Sequence, residues 1–272
     1  MKKRTIWSIF LSFLLIGIIA LTAGLAMGAK PQEFLQITLG EGQLSLIGAA
    51  PNSLFGAGES MEEIEVPEKE KRFSAQEIQE LTISVHSGVV EIWPTSGEEI
   101  ICYSNRRDSF YGQKGSRLTL KDEGLNTAIQ LRIYLPEKVW DEVELELGAC
   151  RVSLEKMKAR EMTVELGSGH LEAGYLETEK SMSIQVGAGL AEVEGCLAKK
   201  LELECGMGSM KICLEGTEEE YNYKLECGMG NLQIGEDSFS GFGGEREVDN
   251  HAGRQLNAEC GMGNLEIAFN QN

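Results

Sequence analysis

The chain has 272 residues, with 32 glycines, only 5 prolines and 7% aromatic residues. That balance suits strands joined by tight corners, and the lack of a three-residue glycine period excludes collagen. The formal net charge of −18 repels phosphate backbones and anionic lipid surfaces, which excludes nucleic-acid binding and leaves cationic partners and divalent cations compatible.

Residues 1–4 hold Lys2, Lys3 and Arg4. They precede an uncharged apolar run, TIWSIFLSFLLIGIIALTAGLAMGA, over residues 5–29. A helix of that length crosses ~30 Å of hydrocarbon. The basic tip predicts a cytoplasmic N-terminus, with all that follows outside the membrane. A cleaved signal peptide competes, since Gly24, Ala26, Gly28 and Ala29 are small, but the run exceeds the ~7–15 residues of a usual signal core. The expectation is a single-pass anchor in the cell membrane. Residues 30–73, with the charge-rich MEEIEVPEKEKR at 61–72, read as an extracytoplasmic stalk. Ser74–Ala75–Gln76–Glu77 matches a capping box and predicts one helical turn. Residues 98–136 carry further strands, expected as an irregular end to the domain that fills residues 74–270.

That domain is dominated by self-similarity. Six segments align without gaps: VELELGACRVSL (143–154), MTVELGSGHLEA (162–173), MSIQVGAGLAEV (182–193), LELECGMGSMKI (201–212), YKLECGMGNLQI (223–234) and LNAECGMGNLEI (256–267). A seventh, LTISVHSGVVEI (81–92), has His86 at the first glycine position, and Cys150 replaces the second glycine of the 143–154 copy. The six copies from 143–154 onward lie nineteen to twenty-two residues apart until the last, which follows an insertion near 236–250 rich in glycine and polar residues. Apolar residues alternate on both sides of each corner, as in Ile184 and Val186, then Ala191 and Val193. Period two marks a strand with one buried face. The corners are Gly167 and Gly169, Gly187 and Gly189, Gly206 and Gly208, Gly228 and Gly230, and Gly261 and Gly263, where glycine is expected for its freedom of backbone angle. One copy cannot bury its apolar face, whereas stacked copies can, at ~4.8 Å spacing. The prediction is an all-β protein: a parallel β-solenoid of about seven coils, ~30–35 Å long, behind the membrane helix. A β-sandwich gives no reason for near-identical copies.

The order FSAQEIQELTISVHSGVVEIWP, then IQLRIYLPEKVWDEVELELG, then G-x-G repeats ending in GNLEIAF resembles the bacterial putative-adhesin β-solenoid family. The resemblance spans roughly residues 70–270. It implies a parallel β-solenoid, often behind one membrane helix, sometimes associated with envelope-stress functions. It carries no catalytic motif and no binding residues.

Two constellations invite chemistry. In E-C-G-M-G, Cys205, Cys227 and Cys260 accompany Met207, Met229 and Met262. Thiolate and thioether suit a soft metal such as Cu(I). The cysteines also fall where other copies carry Leu147, Leu166 and Val186, so core packing explains them without a metal. A disulfide between adjacent copies would leave one of the three unpaired, and exposed thiols outside the cell normally oxidise. The second constellation is the outward column of Glu146, Glu165, Gln185, Glu204, Glu226 and Glu259, taken in chain order. Stacked carboxylates repel and attract cations, so Glu165, Glu204, Glu226 and Glu259 form a weak candidate site for a divalent cation such as calcium; a solvated acidic face is the plainer reading. His86, His170 and His251 stand beside no nucleophile in sequence, and G-x-G here joins strand to strand, which excludes a dinucleotide fingerprint. No cofactor is implied. The expectation is a non-enzymatic envelope module with a protein or cell-wall partner. A soft-metal protein is the alternative, and a glycan-active enzyme the third.

Overall fold

A computed structural model describes residues 69–106, 110–122, 128–240 and 243–270. The apolar segment 5–29 and the stalk up to residue 68 lie outside the described residues. Among the described residues no helix is long and apolar enough to cross a membrane.

The strands are β1 (Lys69–Ser74), β2 (Glu80–Thr95), β3 (Glu99–Ser104), β4 (Tyr111–Lys114), β5 (Arg117–Lys121), β6 (Ile129–Pro136), β7 (Val139–Val186), β8 (Leu190–Leu197) and β9 (Lys200–Cys205). There follow β10 (Ser209–Glu215), β11 (Tyr221–Cys227), β12 (Asn231–Ile234), β13 (Asp237–Ser240), β14 (Gly244–Val248), β15 (Arg254–Cys260) and β16 (Asn264–Asn270). All belong to one mixed, mostly parallel sheet. A 3-10 turn, Glu218–Glu220, lies between β10 and β11. The long β7 stays extended through two corners, at 148–150 and 167–169, because those corners bend the chain without reversing it.

Equivalent positions of the repeats pair in register. Before the corner, Val85 faces Leu147, Val186 faces Cys205, Cys205 faces Cys260 and Cys260 faces Cys227. After it, Ala173 faces Val193, Val193 faces Ile212, Ile212 faces Ile267 and Ile267 faces Ile234. These side chains are all buried in one core. Parallel pairing in register keeps each apolar residue over its equivalent, so one inward face serves every copy.

The stack does not follow chain order at its end. Copy 256–267 inserts between 201–212 and 223–234, since β15 pairs with β9 on one side and β11 on the other. The insertion is not a loose polar loop. Gly235, at φ 54°, turns the chain back. β13 then runs antiparallel to β12, and β14 antiparallel to β11. These strands cover the outer edge of copy 223–234, which would otherwise present unpaired backbone groups. The chain next passes under that copy to place β15. Asn222 fixes the crossing: its Oδ1 accepts from Asn250 N at 2.9 Å and Ala252 N at 3.0 Å, while its Nδ2 donates to Ala252 O at 2.9 Å.

The expected reason for the corner glycines also needs correction. Of those predicted, only Gly169 takes a φ in the left-handed region, at 111°. Close stacking requires the others. A Cβ on Gly206 would lie 2.8 Å from the carbonyl oxygen of Gly187, and one on Gly208 only 2.2 Å from that of Gly189.

The opposite end is irregular, as expected. β6 pairs parallel with β2, β3 antiparallel with β6, and β1 antiparallel with β3. β1 starts inside the segment read as stalk. Residues 75–77 form a turn rather than a helix, held by Glu77 N donating to Ser74 O at 3.2 Å. Lys138 Nζ donates to Ala75 O at 2.7 Å and lies 4.2 Å from the ring centroid of buried Trp140, which ties this turn to the first repeats.

Candidate functional site

The outward column before the corner reads Ser84, Glu146, Glu165, Gln185, Glu204, Glu259 and Glu226 in spatial order. Glu204, Glu259 and Glu226 are direct register partners. Glu245 on the covering strand β14 adds a fourth acid beside Glu226. At this end the face dips into a hollow of about 240 Å³ lined by Glu202, Glu204, Lys224, Glu226, Asn257 and Glu259. Half-burial raises the pKa of Glu204, helped by Glu202 and Glu165. Half-burial raises that of Glu259 too, helped by Glu226 and Glu204 and opposed by Lys224. Lys224 is the counter-ion at the rim: it bonds Glu226, and its Nζ lies 3.5 Å from Glu245.

The sequence-predicted candidates thus divide. Glu204, Glu226 and Glu259 are brought together in one hollow. Glu165 lies further along the column, separated from them by Gln185. Among the described residues these carboxylates do not converge into a group of three ligand atoms within 4.8 Å of one another. Such a group forms on the strand after the corner, from His170, Glu172 and Glu192. The sequence held the signal for it: His170 and Glu172 are two apart, and Glu192 is one repeat beyond Glu172.

The cysteines and methionines of E-C-G-M-G part company. Cys205, Cys260 and Cys227 are stacked in the core, whereas Met207, Met262 and Met229 are 51%, 55% and 60% exposed at the corners. Two residues of one strand separate inward from outward only when a corner lies between them, and here it does. A ligand set shared between these thiols and thioethers is therefore not formed. Cys205 Sγ lies 3.5 Å from Asn264 O, and Cys260 Sγ lies 3.4 Å from Asn231 O. All seven cysteines are free. Burial pushes the Cys102, Cys150 and Cys196 thiols up to about 12. Cys260, against both Cys205 and the core, is held far above the ordinary thiol value. Such thiols are poor nucleophiles.

No family model matches this chain, and no curated protein matches it. Several solved structures do. The chain is similar to three bacterial proteins. One is a "putative cell adhesion protein" from Clostridium sporogenes, at 12% identity, covering 74% of this chain and 99% of that one, with a TM-score of 0.33. The second is a "putative adhesin" from Bacteroides fragilis, at 10% identity, with 73% and 96% covered and a TM-score of 0.32. The third is a "putative adhesin" from Parabacteroides distasonis, at 13% identity, with 73% and 96% covered and a TM-score of 0.32.

Proposed function

We propose that this chain is a non-enzymatic parallel β-solenoid, held outside the cell membrane by its N-terminal apolar segment, and that its repeat face is an adhesin-like interaction module. In-register parallel pairing of successive copies supports the solenoid reading. The acidic column carries the interaction reading. Glu204, Glu259 and Glu226 repeat at the spacing of adjacent parallel strands, ~4.8 Å, and surround a hollow with a single lysine at its rim. A partner that presents a row of amines or guanidinium groups relieves the mutual repulsion of these carboxylates, and that relief favours the complex.

The test uses a deletion strain that carries either the natural chain or a chain with Glu165, Glu204, Glu226 and Glu259 all changed to Gln, at equal display on intact cells. Attachment is measured to polylysine-coated surfaces and to the same polymer acetylated. The proposal expects several-fold stronger, salt-sensitive attachment to polylysine with the natural chain than with the Gln chain. Equal attachment by the two strains sinks the acidic-face reading. Failure of an external protease to reach the domain on intact cells sinks the location.

A further inference from the structure

His170 follows the second corner glycine of copy 162–173, and Glu172 lies two residues on, on the same outward side of β7. Glu192 on β8 is the register partner of Glu172. The Nε2 of His170 stands 3.4 Å from Glu172 Oε1 and 4.0 Å from Glu192 Oε2. The three ligand atoms lie within 4.8 Å of one another, as no other set of three His, Cys, Asp or Glu does among the described residues.

The His170 Nε2 atom is sealed from solvent and makes no hydrogen bond. A nitrogen denied both water and a hydrogen bond is costly to leave so. It is aimed between two carboxylates that are themselves 60% and 49% exposed. Four ligands at 2.0–2.1 Å around a tetrahedral ion stand about 3.3 Å apart. The His170–Glu172 separation already meets that spacing, and a small rotation of the exposed Glu192 side chain completes it. On the next copy Lys211 is the register partner of Glu192, and its Nζ lies 3.3 Å from its other register partner, Glu266.

We propose that His170, Glu172 and Glu192 bind a first-row divalent cation, zinc foremost, that clamps copy 162–173 to copy 182–193. An imidazole in the donor set favours zinc over calcium or magnesium, which take oxygen ligands. Three protein ligands leave a coordination position on the solvent side, open to water or to a carboxylate from a partner. This site is separate from the acidic column, on the strand beyond the corner.

The experiment titrates the full-length chain in detergent, stripped of metal, with Zn²⁺ by calorimetry, with Co²⁺ absorption as a second readout. The expected result is one equivalent of zinc, weakened at least about tenfold by His170→Ala and by Glu192→Gln, unchanged by Glu204→Gln and not displaced by excess Ca²⁺. Zinc should also raise the thermal midpoint of the natural chain but not of the His170→Ala chain. Should His170→Ala lose its strand signal in circular dichroism, the exposed double variant Glu172→Gln with Glu192→Gln takes its place. Zinc bound equally by the natural and variant chains, or no zinc heat up to about 1 mM, overturns the proposal.

Discussion

Gly261 rests on Gly206 rather than on Gly228: its Cβ position is 2.9 Å from the Gly206 carbonyl oxygen, while the Cβ position of Gly228 is 2.7 Å from the carbonyl oxygen of Gly261. The last repeat in the chain is therefore not the last in the stack. A terminal copy buried between two others has both rows of backbone groups paired, and the outer edge of copy 223–234 is closed by β13 and β14. The arrangement leaves the C-terminal copies without an open parallel edge on which a second chain could build.

Close stacking makes the corners intolerant of side chains. Gly208→Ala places a methyl 2.2 Å from the Gly189 carbonyl oxygen, and the backbone must shift to admit it. A loss of about 1–3 kcal/mol is expected, as for overpacked sites. Gly253→Ala meets nothing within 4 Å and should stay within about 0.5 kcal/mol of the natural chain. Urea unfolding of both variants measures the difference. Equal midpoints would contradict the stacking argument.

The acidic hollow sets a pH dependence of definite sign. The carboxyls of Glu204 and Glu259 have raised pKa values in the folded chain, so the folded state holds protons that the unfolded state has released. Their ionisation therefore costs stability above the folded pKa, and the cost disappears as pH falls toward the ordinary Glu value near 4.5. Glu259→Gln should raise the unfolding free energy at pH 7, by less than about 1 kcal/mol because the group is half exposed, and with it the thermal midpoint. The advantage should shrink as pH falls toward 4.5. A variant less stable at pH 7 would mean that Lys224 outweighs the burial and repulsion around Glu259.

Much of this fold was legible in sequence because strand period and glycine spacing are local. The alternation Ile184, Val186, Ala191, Val193 gave both faces of a copy without any long-range information. Copy order was not legible, since near-identical sequences pair equally well with either neighbour. What decides it is the turn at Gly235 and the Asn222 contacts to Asn250 and Ala252, and neither is a periodic signal. The Glu column could be read because one position recurred, whereas the hollow depends on the copy order and could not. The grouping of His170 with Glu172 and Glu192 is not legible, because only one copy carries a histidine directly after the corner. In E-C-G-M-G the packing role of Cys205, Cys227 and Cys260 was legible from the apolar residues at the same position of other copies, whereas the outward turn of Met207 at the Gly206 corner was not.

The crossing segment should depend on Asn222. Asn222→Ala removes three hydrogen bonds to Asn250 and Ala252 and leaves two backbone donors without that partner. A loss of about 1–3 kcal/mol is expected. Amide hydrogen exchange should show lost protection first in β14 and the start of β15. Unchanged exchange there would place the anchor of the crossing elsewhere, on Asn250, whose Nδ2 donates to Tyr221 O at 2.9 Å and to Glu218 O at 3.3 Å, and on Arg254, whose guanidinium donates to Glu220 at 2.7 Å and to Glu215 O at 3.1 Å.

The exposed corner methionines offer the most direct test of the stack. Met207, Met262 and Met229 occupy one column on consecutive copies, with Met262 between the other two: Met262 N donates to Gly206 O at 2.7 Å, and Met229 N to Gly261 O at 2.8 Å. Cysteines introduced in pairs at these exposed sites should form disulfides rapidly for 207 with 262 and for 262 with 229. The pair 207 with 229, two strand spacings or ~9.6 Å apart, should not close. Rapid closure of 207 with 229, with no bond from 262 to 207, would show the copies stacked in chain order and contradict the account.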